Sequence, residues 1–126
     1  MKSLWTMFLP AACVVAACAT NDMPGPSQGQ LLFAQNCTSC HGADATGGVG
    51  PDLTRIAARN GGTFPRAAVL SQIDGYGRGS LSEDLMPEFG SLLEGDTVPV
   101  EVDGTLTPTP SPLAALLAYL ESVQQP

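Results

Sequence analysis

Three residues in the first third of the chain have the types and the spacing of a covalent cofactor site. Cys37 and Cys40 are three positions apart, and His41 follows directly. Two thiols at this spacing can each form a thioether to one vinyl group of a haem, which places the following imidazole beneath the iron. The motif therefore predicts one covalently attached haem c, with His41 as an axial ligand.

The same motif has three other interpretations: a thioredoxin-like redox pair, half of a zinc site, and a structural disulfide. Zinc needs two more soft or imidazole ligands, and His41 is the only histidine of the chain. A redox pair is typical of an α/β fold, and the sequence does not show the alternation of strands and helices that such a fold requires. Haem attachment is the interpretation that the other features of the chain support.

The start of the chain has the pattern of an export signal. Lys2 provides the positive charge, and an almost uncharged apolar run follows over residues 4–17, which is short for a membrane span. The run ends in Val15-Ala16-Ala17-Cys18, which is similar to the lipobox of bacterial lipoproteins. We therefore expect residues 1–17 to be a signal peptide and Cys18 to anchor an exported protein to the membrane on the periplasmic side. The alternative is an ordinary signal peptide that is cut after one of the alanines.

The charge of the chain excludes one class of partner and favours another. Five basic residues stand against twelve acidic ones, for a formal net charge of −7. This sign argues against binding to nucleic acid. An acidic surface suits a redox protein with a basic docking patch, so we expect partners of that kind.

Helices are predicted to position the haem motif. Residues 18–26 contain Asn, Asp, Gly and two prolines, a composition typical of a tether. Ser27 and Gln30 match a capping box at the start of a helix. Gly29 and Phe33 share one face of that helix, which leads into the motif, and a glycine on this face is explained by the close approach of another helix.

Further elements are predicted after the motif. A short helix is expected between Pro65 and Gly75, and the alternating valines before Asp103-Gly104 predict a hairpin with a type I′ turn. Ser111 is predicted to cap a final helix, whose apolar stripe is Leu113, Leu116, Leu117 and Leu120. The sequence thus predicts one all-α domain over residues 27–126 with a small β-hairpin insert.

The chain resembles the class I monohaem cytochromes c. The resemblance covers residues 27–123 and is weakest over 89–110. It rests on the haem motif, on Gly50-Pro51-Asp52-Leu53, and on the helix-pairing spacings Gly29/Phe33 and Leu116/Tyr119. It implies that the first and last helices cross beside one haem. The insert at 89–110 has no counterpart in the smallest members, and two roles are open for it: shielding the haem edge near Met86 or contacting a partner.

The resemblance also implies roles for single residues. The carbonyl of Pro51 would accept a hydrogen bond from His41 and orient its ring. An arginine eight residues after that proline, Arg59, would bind a haem propionate, and Arg55 is the competing candidate.

A distal methionine ligand is the last implication of the family pattern. Met86 is the only methionine downstream of the motif, and the alternative role for it is that of a core side chain. Ligation by His41 and Met86 would close both axial positions, which describes a one-electron carrier and not an enzyme. Two alternatives are an open-site haem enzyme and a gas-binding sensor in which Met86 is displaced.

Overall fold

A computed structural model describes residues 23–76 and 86–126. The predicted signal peptide, the lipidation site at Cys18 and most of the predicted tether lie outside these ranges. Among the described residues, no helix combines the length and the apolar character needed to cross a membrane.

The described residues form mostly helices and one small antiparallel sheet, as the sequence predicts. In chain order the elements are α1 (Pro26–Asn36), α2 (Thr38–His41), α3 (Ile56–Arg59), α4 (Arg66–Asp74), a 3₁₀ turn (Gly90–Leu92), β1 (Thr97–Val102), β2 (Thr105–Pro110) and α5 (Ser111–Ser122). Helix α5 forms the centre of the core, because all four leucines of its predicted stripe are buried.

The crossing of α1 and α5 is the main helix contact of the domain. A Cβ atom added to Gly29 would overlap the backbone carbonyl oxygen of Ala115 and lie 2.7 Å from Cβ of Tyr119. One turn further along α1, the rings of Phe33 and Tyr119 have centroids 5.2 Å apart and planes inclined by 48°, a tilted geometry that aromatic pairs prefer. The helix pairing implied by the family resemblance is therefore confirmed.

Both predicted serine caps are wrong. Helix α1 begins at Pro26 with Gly25 as its N-cap, so Ser27 lies inside the first turn. Helix α5 begins at Ser111 itself, with Pro110 as the N-cap and no side-chain capping bond. Each helix has a proline in its first two positions, where the fixed φ angle favours helix and the missing N–H costs nothing. Neither helix start therefore uses a serine side chain as its cap.

The predicted hairpin is present with the predicted turn. Strands β1 and β2 pair from Val102 opposite Thr105 to Thr97 opposite Pro110. The two turn residues have positive φ angles, 49° at Asp103 and 82° at Gly104, as a type I′ turn requires. Val100 faces the core and is fully buried.

Arg66 connects the hairpin to two helices. From the first position of α4, its guanidinium donates to both carboxylate oxygens of Glu121 on α5, at 2.9 and 3.1 Å. It also donates to the backbone carbonyl of Glu101 on β1 at 2.8 Å. Two-pronged arginine–carboxylate pairs fix geometry as well as adding energy, so this residue orients α4, α5 and the hairpin relative to one another.

Candidate functional site

A cleft of about 480 Å³ opens beside the Cys-x-x-Cys-His motif, within the range of about 300–1,000 Å³ typical of small-molecule and cofactor sites. A smaller apolar pocket of about 80 Å³ adjoins it and extends toward α1 and α5. Six residues line both spaces: Cys37, His41, Leu53, Gln72, Met86 and Phe89. The cleft therefore brings both cysteines, the histidine and the predicted distal methionine to one site.

The motif faces the cleft because it is wound into one helical turn. The N–H groups of Cys40 and His41 both donate to the carbonyl of Cys37, at 3.2 and 2.9 Å. Positions i, i+3 and i+4 of a helix share one face, so the spacing of the motif places the two thiols and the imidazole on the same side.

The two thiols are free, with Cys37 half-buried and Cys40 exposed. Burial and, to a smaller extent, the neighbouring Cys40 together raise the pKa of the Cys37 thiol to about 11. Redox-active cysteines have the opposite property, a lowered pKa that supplies the nucleophilic thiolate. The local environment of Cys37 thus argues against a thioredoxin-like pair and leaves a protonated Cys37 thiol at the edge of an apolar cleft.

The ring of His41 is held in the tautomer that a metal ligand needs. The side chain is 7% exposed, and its Nδ1 lies 2.9 Å from the carbonyl oxygen of Pro51. Because a carbonyl oxygen only accepts, Nδ1 carries the proton and Nε2 keeps its lone pair. This is the arrangement in which a second hydrogen bond orients a ligating histidine.

Gly50 is a site residue that the sequence analysis did not single out. A Cβ atom at this position would lie 2.7 Å from Cε1 and 2.9 Å from Nδ1 of His41. The backbone before Pro51 therefore passes directly against the imidazole, and a side chain at position 50 would displace the ring. The signal available in the sequence was the Gly-Pro pair, which also occurs in ordinary turns.

The loop between the motif and α3 is held by its own hydrogen bonds. The N–H of Gly50 donates to the carbonyl of Cys40 at 2.8 Å, and the N–H of Leu53 donates to the carbonyl of Ala45 at 2.8 Å. Asp52 accepts bonds from the hydroxyl and the N–H of Thr54, at 2.6 and 2.8 Å. These two bonds hold the pKa of the Asp52 carboxyl below its usual value, so the turn that carries Pro51 is kept in place at neutral pH.

Met86 lines both spaces together with His41. Its sulfur lies 3.9 Å from Nε2 of Gln72, a side-chain amide of α4 that donates to it. Three residues after Met86, the N–H of Phe89 donates to the carbonyl of Ile73 at 3.0 Å, which fixes the chain segment against α4. The methionine is therefore positioned at the cleft, and its ligation of iron stays a prediction.

The two candidate arginines do not line the cleft. Arg59 is exposed and donates to the backbone carbonyl of Asp52 at 2.8 Å. Arg55 donates to the backbone oxygen of Pro126 at 3.1 Å. Which of them would reach a propionate stays a prediction.

Sequence reasoning missed Gln72 as a site residue. In α4 it falls three positions after Val69 and directly before Ile73, both of which are buried. A helical period from Val69 was the available signal, because it places position 72 beside the buried face. The described residues of the hairpin, by contrast, pack on α5 and do not line the cleft, although Phe89 at the start of the insert does.

Comparison with known proteins places these features in one family. A family model described as Cytochrome c matches residues 26–124. Cytochrome c55X of Stutzerimonas stutzeri is 36% identical over 81 residues, covering 64% of this chain and 66% of that protein. Cytochrome c55X of Pseudomonas aeruginosa is 35% identical over 97 residues, covering 75% and 76%. Cytochrome c-551 of Bacillus subtilis is 30% identical over 87 residues, covering 60% and 73%. The chain thus spans about two thirds to three quarters of the length of these relatives.

Proposed function

The chain belongs to the cytochrome c family and so binds one covalent haem c, and on that premise we propose that it is a one-electron carrier with iron ligated by His41 and Met86. The observation that carries the proposal is the shared cleft of Cys37, Cys40, His41 and Met86. When bound, the haem supplies a one-electron ferrous–ferric couple.

The residues of the Cys-x-x-Cys-His motif would attach the haem and orient its iron ligand. Cys37 and Cys40 would form the thioethers, and Nε2 of His41 is the nitrogen available to the iron. The hydrogen bond from Nδ1 to Pro51 keeps the imidazole from rotating and raises its basicity as a ligand. Proton transfer is not required of any of these groups.

A second group of cleft residues would close the site. Met86 would supply a thioether sulfur, whose orientation the amide of Gln72 restricts. The apolar walls include Phe33, Ile56 and Leu116, which exclude water and thereby favour the less charged ferrous state. If His41 and Met86 held the iron, no position on it would be left for a substrate, as expected of an electron carrier.

Covalent attachment is tested by extraction. We expect the haem of protein matured in its native host to stay with the polypeptide through denaturation and acid-acetone treatment, because thioethers are covalent bonds. The double variant Cys37→Ala, Cys40→Ala should release any bound haem completely into the acetone phase. The absorption of the pellet at the haem bands measures both. Wild-type haem that extracts freely would contradict the proposal.

We further propose that Arg59 binds a haem propionate and that the chain exchanges electrons with redox proteins that have basic docking patches.

We also propose that the chain is exported and anchored to the membrane through a lipid on Cys18. Lipidation would place more than one acyl chain on the mature terminus, and two chains anchor stably where one is marginal. Cys18→Ser should move the haem-containing protein from the membrane to the soluble fraction or leave it uncleaved. Unchanged acylation and membrane location of that variant would rule out Cys18 as the lipid site.

A further inference from the structure

We propose that Gln124 is a positioning residue, whose side-chain amide holds the wall of the haem cleft that residues 53–57 form. Leu53 and Ile56 of this segment, which we call the 53–57 wall, belong to the apolar lining, whereas Gln124 does not line the cleft. The inference rests on the proposed function in so far as the wall is taken to face a haem.

The amide of Gln124 bridges an open helical turn. Its Nε2 donates to the carbonyl of Leu53 at 2.8 Å, and its Oε1 accepts from the N–H of Ala57 at 2.8 Å. These two backbone groups are four residues apart, so a continuous helix would join them directly. They make no such bond here, and α3 begins only at Ile56. The side chain therefore takes the place of one backbone bond and keeps the turn open.

The other end of the bridge is anchored in the core. The second N–H of the same amide donates to the carbonyl of Leu120 at 2.7 Å, in the last turn of the buried helix α5. The next residue adds a backbone bond, from the N–H of Gln125 to the carbonyl of Thr54 at 2.7 Å. Both donors and the acceptor of the Gln124 amide are thus used, and the wall is tied to the best-packed helix of the domain.

The hydrogen bond between His41 and Pro51 has supports other than this bridge. Asp52 accepts two bonds from Thr54, and the N–H groups of Leu53 and Gly50 donate to the carbonyls of Ala45 and Cys40. Loss of the Gln124 amide should therefore loosen the wall and admit water to the side of Leu53 and Ile56, with the histidine left in place. A more polar surrounding favours ferric iron, so the reduction potential should fall.

The test compares Gln124→Met with Gln125→Met in the haem-loaded protein. Methionine keeps the length of glutamine but cannot form the three bonds, and Gln125 is exposed and contributes only its backbone. We expect hydrogen exchange of the Ala57 amide to become roughly tenfold faster in Gln124→Met. We expect the reduction equilibrium to shift about threefold toward the ferric state, which is about 28 mV at 59 mV per tenfold. Gln125→Met should match the wild type in both measurements.

The two measurements separate the possible failures. A lower melting temperature for Gln124→Met with wild-type potential and wild-type exchange at Ala57 would mean a structural role only, and would overturn the inference. If Gln124→Met gives no folded haem protein, Gln124→Asn replaces it. This variant keeps a neutral amide but is one methylene too short to bridge Leu53 and Ala57, so exchange at Ala57 must still become faster and the potential must still fall. A wild type without covalent haem would overturn the proposed function instead, and the exchange of Ala57 would still test the bridge.

Discussion

Substitution of Met86 by alanine should convert a closed haem site into an open one. Met86 lines the same cleft as His41, and the chain has no second histidine to take its place. The variant should lose the weak sulfur-to-iron absorption near the red end of the ferric spectrum. Its reduction potential should fall, because a thioether ligand favours the ferrous state.

Carbon monoxide binding to the reduced protein measures the same opening. If a thioether sulfur is bound to the iron in about 99% of molecules, only about 1% can bind an outside ligand. The apparent affinity for that ligand is then roughly 100-fold lower than for an open iron. Met86→Ala should therefore raise the apparent affinity for carbon monoxide by about two orders of magnitude.

Met23→Ala is the matched control for this experiment. Met23 is partly buried against the core and does not line the cleft, so the same substitution there should leave the spectrum and the affinity unchanged. A wild-type protein that is already high-spin and binds carbon monoxide rapidly would show that Met86 is not the ligand. The open-site enzyme and the gas sensor would then become the better readings.

Of the substitutions in α1 that add a single methyl group, Gly29→Ala should lower the stability of the domain most. The new Cβ would overlap the backbone carbonyl of Ala115, and a carbonyl in the middle of α5 cannot move without displacing the whole helix. Overpacking of this kind costs about 1–3 kcal/mol, and the rigidity of the partner places Gly29 at the upper end. Alanine regains about 1 kcal/mol of helix propensity, so we expect a net loss of about 2 kcal/mol. For a domain of this size that is a drop of roughly 10 °C in melting temperature.

Gly25→Ala provides the control on the same segment. No atom lies within 4 Å of a Cβ built at Gly25, and the change at this N-cap position should cost less than about 1 kcal/mol. Thermal unfolding followed by circular dichroism compares the two variants, and the haem should stay attached in both. Equal melting temperatures for Gly29→Ala and the wild type would contradict the crossing as described.

Several features followed from local sequence because local physics decides them. The spacing of Cys37, Cys40 and His41 is enough to place three side chains on one helical face. A two-residue Asp103-Gly104 turn between alternating apolar residues is enough for a type I′ hairpin, since both positions tolerate positive φ. The leucine stripe of α5 likewise required only a period of 3.6 residues.

The remaining features depend on contacts between distant parts of the chain, which no local pattern encodes. The N-caps lie two residues before the predicted Ser27 and one residue before the predicted Ser111, and neither forms a side-chain capping bond; only the folded backbone shows this. Gly50 beside His41 and the bridge from Gln124 to the 53–57 wall are long-range in the same sense. A glutamine near the end of a helix is usually exposed to water, so the sequence alone gives Gln124 no partner. Its role here arises because tertiary packing brings it against one unpaired N–H and one unpaired carbonyl, groups that must find partners once they are buried.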